Sequence, residues 1–119
     1  MGYNEQSVNV KDTITFEDFT KLDLRVGEVL KVEKKEGSDK LLRLTVDFGE
    51  IGQRIILSGI APWYTPSQVK GKKFIFVVNL APRKMMGEES QGMIICAVEG
   101  EAAKLIPVPK TVNTGSTVR

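Results

Sequence analysis

Between two apolar runs the chain carries Asn79-Leu80-Ala81-Pro82-Arg83-Lys84-Met85-Met86-Gly87 and then Ser90-Gln91-Gly92-Met93, a stretch dense in groups that can grip an anion or a planar ring. The Arg83 guanidinium can bridge two phosphate oxygens or stack on an unpaired base, and an Asn79 amide can address a base edge or cap the loop. A Ser90 hydroxyl can hydrogen-bond phosphate, Met93 and Met85 can pack against a splayed base, and Gly92 lets a backbone come close. Residue types alone leave a second reading open. In it, Asn79 and Pro82 build a turn, Arg83 and Lys84 are solvated, and the methionines pack the loop. Glu88 and Glu89 would repel phosphate and are expected to point away.

Other chemistry is scarce. Histidine is absent, which removes the commonest general base and metal ligand, so hydrolase triads and His-ligated metal sites are excluded. Ser58-Gly59-Ile60-Ala61 lacks the glycine pattern of a nucleophile elbow and reads as a turn ending a strand. Asp23, Asp39 and Asp47 are too scattered to specify a metal, and Asp23 can pair with Arg25. The single cysteine, Cys96, rules out an internal disulfide, fits a reducing compartment and reads as a buried structural thiol. Lys31, Lys34, Lys35, Lys40 and Arg43 gather around one turn but are diluted by Glu33, Glu36 and Asp39, so this turn reads equally as a solvated tip or as an anion surface. With a net charge of +2, any claim of anion binding must rest on where charge lies.

The elements that would position these groups follow from periodicity. The first 13 residues show none and read as a flexible N-terminal arm; Met1 to Val10 has no apolar core of a signal peptide. Thr15 with Asp18 approximates a capping box, and Ile14 with Phe19 a hydrophobic staple, for a helix from about Phe16 to Lys21. Strands are expected over Leu24 to Val32, with a bulge or tight bend at Gly27, over Leu42 to Phe48, where Leu42, Leu44, Val46 and Phe48 fall at period two, and over Arg54 to Ser58. Thr65-Pro66 then opens a brief helix, with Trp63 and Tyr64 before it as a lid on one end of the fold, and strands follow over Lys72 to Asn79 and Met93 to Val98. Three strands, a helix and two strands predict an all-β fold, a five-stranded OB-fold Greek-key barrel. From about Gly100 the chain extends beyond the barrel, as a coat on it or half of an interface; residues 14 to 119 form one domain.

Asp23-Leu24-Arg25-Val26-Gly27, Asp39-Lys40-Leu41-Leu42, Val46-Asp47-Phe48-Gly49, Ser58-Gly59-Ile60-Ala61 and the Asn79 to Met93 stretch together resemble the tRNA-binding OB-fold family, over roughly residues 14 to 118. That family occurs as the C-terminal domain of methionyl-tRNA synthetases, as cofactors of synthetases and as free-standing tRNA-binding proteins. The resemblance implies non-catalytic, structure-specific tRNA binding in the cytoplasm, without a cofactor or membrane. It implies contacts through Lys40, Asn79, Arg83, Lys84, Met85, Ser90 and Met93, and a methionyl-tRNA synthetase in cis or in trans as partner. Where the family carries a His-Pro pair before its Asp-Lys-Leu motif, this chain has Lys35 and Glu36, and Ser38 stands in place of alanine. A homodimer is expected, its interface formed by the N-terminal helix region and the extension after about Gly100. The chain ends without the longer extension that serves some family members as a substitute for a second subunit. Similar dimeric barrels serve as secretion chaperones that hold unfolded peptides, and this is the alternative reading.

Overall fold

The computed structural model describes residues 9–119, so most of the expected arm lies outside the described residues. Helix α1 spans Phe16–Thr20, where the Thr15 hydroxyl accepts the Asp18 N–H at 3.1 Å. It stops one residue earlier than expected, at the cap Lys21. The Phe16 and Phe19 rings lie 6.3 Å apart, while Ile14 stays largely exposed.

Strand β1 (Leu24–Lys34) is the axis of the fold. Its first half pairs with β4 (Lys73–Val77), from Leu24 opposite Val77 to Glu28 opposite Lys73. Its second half pairs with β2 (Leu42–Asp47), from Glu28 opposite Asp47 to Lys34 opposite Leu42. One strand thus serves two partners in succession, and a register shift between Val29 and Lys31 lets it bend from one to the other. The bulge expected at Gly27 falls there instead. Register through Gly27 is unbroken, and the glycine answers to packing: a Cβ would sit 2.5 Å from Val46 Cγ1, 2.7 Å from Phe48 Cε1 and 2.9 Å from Phe76 Cε1. The space it leaves admits the Phe48–Phe76 edge-to-face pair, with centroids 5.2 Å apart.

Strand β3 (Gln53–Ser58) pairs antiparallel with β2, and the alternation read from Leu42 to Phe48 places all four apolar side chains in the core. Helix α2 (Pro66–Val69) begins with proline, and the Gln68 side chain accepts the Thr65 N–H at 2.8 Å. Before it, Tyr64 packs against the core and its hydroxyl accepts the Leu105 N–H, while Trp63 is partly exposed.

After β4 the chain departs from expectation twice. The segment read as a loop is a hairpin, β5 (Arg83–Met85) and β6 (Glu88–Ser90), turning through Met86 and Gly87, both at positive φ. The expected last strand splits: β7 (Met93–Ile94) pairs with β4, whereas β8 (Cys96–Glu99) leaves the sheet to pair with β9 (Ala102–Leu105) around Gly100 at φ +60. Cys96, half-buried against the core, is a free thiol whose pKa burial pushes up.

The residues after β9 coat the barrel. Val108 bridges to Lys73, and β10 (Thr117–Val118) pairs with the edge of β1 opposite β4, Leu24 facing Val118. The sheet order β3-β2-β1-β4-β7 closes almost completely, because β3 is met by the segment joining β6 to β7. There Gln91 N–H reaches the Ile55 carbonyl at 2.8 Å, the Gln91 side chain accepts the Ile55 N–H at 2.9 Å, and Ser90 accepts the Leu57 N–H at 2.9 Å. Side chains replace backbone in the closing ladder, and the result is an all-β, OB-fold-like barrel.

Candidate nucleic-acid interface

The β5–β6 hairpin sorts its side chains by parity. Arg83 opposes Ser90 and Met85 opposes Glu88, while Lys84 opposes Glu89. Directly opposed residues share a face, so Arg83 and Met85 lie with Ser90 and Glu88, and Lys84 lies on the other side. Arg83 borders a pocket of about 330 Å³ walled by Leu57, Leu80, Met85, Gly92 and Met93. Met93 and Leu80 are partly exposed at its edge, and Met85 is half-buried. Arg83 and Lys84 are exposed, and neither forms an ion pair with a described residue.

Lys40 is also exposed and without such a pair, at the turn between β1 and β2. Ser38 shapes that turn by accepting the Lys40 and Leu41 N–H groups, each at 3.2 Å. The Lys40 carbonyl accepts the Ala61 N–H at 3.0 Å, just past β3, while Leu57 near the end of β3 touches Ser90 opposite Arg83. Lys40 and Arg83 therefore lie toward the same end of the barrel.

Asn79 and Ser90 have their polar groups engaged within the chain. Asn79 Oδ1 accepts the Asp23 N–H at 2.8 Å and its Nδ2 donates to the Lys21 carbonyl at 2.6 Å, which clamps the α1–β1 junction to the end of β4. Ser90 is 3% exposed and donates its hydroxyl proton to the Gly92 carbonyl at 2.9 Å. Both hold the loop from beneath. The structural reading of Asn79 was open from the sequence, but its partners Lys21 and Asp23, and the Leu57 N–H that Ser90 accepts, lie far along the chain.

The cations around the first turn are largely paired. Arg43 and Lys35 bind Glu88, Arg43 also binds Glu33, and Lys31 lies 3.8 Å from Glu33. Glu88, expected to point away, turns inward to these cations. Hydrogen bonds from Lys35 and then Arg43 hold its carboxyl below the usual carboxylate range. Asp23 and Arg25 do pair, at 2.6 Å. No cluster of three or more potential metal ligands occurs among the described residues.

A near-closed barrel with two exposed cations, unpaired among the described residues, beside an apolar pocket resembles the small barrels that hold nucleic acid or sugar on one face. The chain belongs to the putative tRNA binding domain family, whose model matches residues 24–117. It is 46% identical over 121 residues to a methionine-tRNA ligase of Lactiplantibacillus plantarum, a match covering 98% of this chain and 18% of that protein. The chain spans less than a fifth of the length of the curated relatives it matches. Among solved structures it is similar to a MetRS related protein from Pyrococcus horikoshii, at 44% identity and a TM-score of 0.87 over 92% of this chain and 100% of that one. It is also similar to the chaperone CsaA from Bacillus anthracis, at 31% identity and a TM-score of 0.83 over 91% of this chain and 100% of that one.

Proposed function

We propose that the chain binds folded tRNA without catalysis of its own. The observation that carries this reading is the exposed Arg83 beside the pocket of Leu57, Leu80, Met85 and Met93, a cation next to an apolar slot able to receive an unpaired base. Arg83, Lys84 and Lys40 engage phosphate, Met85 and Met93 contact a base, and Asn79 and Ser90 act by holding the hairpin that carries them. The partner is a methionyl-tRNA synthetase in cis or in trans, whose hold on tRNA is raised by tethering, in the cytoplasm.

A second copy is part of this proposal. A groove of about 440 Å³ runs between α1 and the β10 segment, lined by Phe16, Phe19, Leu22 and Val118, and Phe16 is 76% exposed. Its apolar side chains stand among polar and charged ones such as Lys21, Asp23 and Arg25, a mixed surface suited to a twofold partner. Sedimentation at micromolar concentration should give a dimer, and a monomer with full tRNA affinity would overturn this part.

The functional test is Arg83→Ala. A charged hydrogen bond contributes about 1.5–3 kcal/mol, so tRNA affinity should fall roughly 10- to 100-fold. Unfolding should change by no more than about 0.5 kcal/mol. Unchanged affinity would remove Arg83 from the site. The likeness to CsaA and the apolar pocket support an alternative, a peptide-holding barrel. Tight binding of unfolded peptide with none of tRNA would favour it.

A further inference from the structure

Glu88 joins two hairpins that share no strand ladder. Its Oε1 accepts Lys35 Nζ at 2.9 Å and Arg43 Nε at 3.0 Å, its Oε2 accepts Arg43 Nε at 2.9 Å, and Arg43 Nη1 continues to Glu33 Oε1 at 2.9 Å. Lys35, Arg43 and Glu33 belong to the β1–β2 hairpin or its turn, and Glu88 belongs to β6. Exposed ion pairs contribute little because water and salt screen them. These side chains are better shielded: Lys35 is 18% exposed, Glu88 25% and Arg43 29%.

A neighbouring contact acts in the same direction. Met86 turns the β5–β6 hairpin at φ +49, a conformation that side-chain-bearing residues rarely adopt. Its Cε lies 3.5 Å from where a Cβ on Gly37 would stand, so the tip of one hairpin rests against the turn of the other. Ser90 anchors the far end of β6 to β3. The hairpin is therefore held at its tip and at the end of β6, and the Glu88 ion pairs, just past the tip, add a charged tie to the element that carries Lys40.

We propose that Glu88 is a positioning residue: through Lys35 and Arg43 it sets the Arg83 hairpin against the Lys40 turn, so that their cations meet a folded RNA at a fixed separation. This rests on the tRNA reading above. Its effect is opposite in sign to that of charge alone. An acid near a phosphate-binding surface should weaken binding, so removing it should tighten binding to any RNA. A positioning acid, once removed, should lower the preference for folded RNA over unstructured RNA of equal length.

The experiment measures that preference, the ratio of the two affinities, for wild type, Glu88→Gln and Lys35→Gln. The ratio cancels the folded fraction, so a loss of stability alone does not move it. Glu88→Gln removes the carboxylate and raises the net charge by one, whereas Lys35→Gln removes one of its two cationic partners and lowers the net charge by one, yet each weakens the same bridge. Both should lower the ratio, by roughly tenfold or more, the scale of one charged hydrogen bond. A ratio unchanged in both, or moved in opposite directions with the charge, overturns the proposal while leaving tRNA binding intact. Should Glu88→Gln fail to fold, Lys35→Gln decides it by the same ratio. A wild type with no preference for folded tRNA would instead remove the underlying reading, and this role with it.

Discussion

The Ser90 hydroxyl accepts the Leu57 N–H at 2.9 Å and donates to the Gly92 carbonyl at 2.9 Å, so one side chain both closes the barrel and shapes the approach to β7. A Ser90→Ala variant leaves the Leu57 N–H unpaired in a buried setting, which costs about 1–3 kcal/mol. Thermal unfolding should show a drop of several degrees. The folded fraction should also lose tRNA affinity, because Arg83 sits opposite Ser90 in the hairpin. A variant with wild-type stability would show that this closure contributes nothing.

At Gly27 the expectation concerns the core. A methyl group there would press on Val46, Phe48 and Phe76 within 2.5–2.9 Å, and overpacking of this kind costs about 1–3 kcal/mol. Gly27→Ala should lower the unfolding free energy by that amount, read as a lower denaturant midpoint with the slope unchanged. A variant as stable as wild type would mean that the three side chains yield freely.

Salt provides a third handle. Each phosphate contact lowers log affinity by about 0.9 per unit of log salt on duplex RNA, taking the B-DNA value, and by about 0.7 on single strands. With Lys40, Arg83 and Lys84 as contacts, a slope of about −2 to −3 is expected in a titration followed by fluorescence anisotropy. Arg83→Ala should make it shallower by about one contact. A flat titration would remove the electrostatic part of the mechanism.

Acid should loosen the hairpin. Lys35, and after it Arg43, holds the Glu88 carboxyl below its ordinary value. A depressed carboxylate stabilises the fold fully above its unfolded value of about 4.3, and the contribution is lost as pH falls through the folded value. Hydrogen exchange at the β5–β6 amides should therefore accelerate as pH drops below about 4, beyond the intrinsic change in exchange rate. Glu88→Gln should already exchange fast at neutral pH and show little further pH response. Equal pH profiles for the two proteins would show that Glu88 does not hold the hairpin.

What was legible in the chain was local. The alternation from Leu42 to Phe48, the Thr15 cap and the proline opening of α2 each announce themselves within a few residues, and the structure has them. The β5–β6 hairpin was hidden because Met86 occupies a turn position where asparagine or glycine is the usual signal. Gly27 announced a constraint but not its kind, since a bend and a crowded core both exclude a side chain. The engagement of Asn79 by the Asp23 N–H and of Ser90 by the Leu57 N–H depends on partners 56 and 33 positions away, beyond the reach of any local pattern. The inward turn of Glu88 follows from hairpin parity with Met85, which becomes readable only once the hairpin itself is known.

The most direct test of tRNA binding at the Arg83 hairpin is a competition in which folded tRNA and an unstructured RNA of equal length each displace labelled tRNA from the full chain at fixed salt. Folded tRNA should compete at the lower concentration, and Arg83→Ala should reduce that advantage. Equal competition by the two RNAs would contradict structure-specific binding and leave only the nonspecific capture of single strands by a cationic groove.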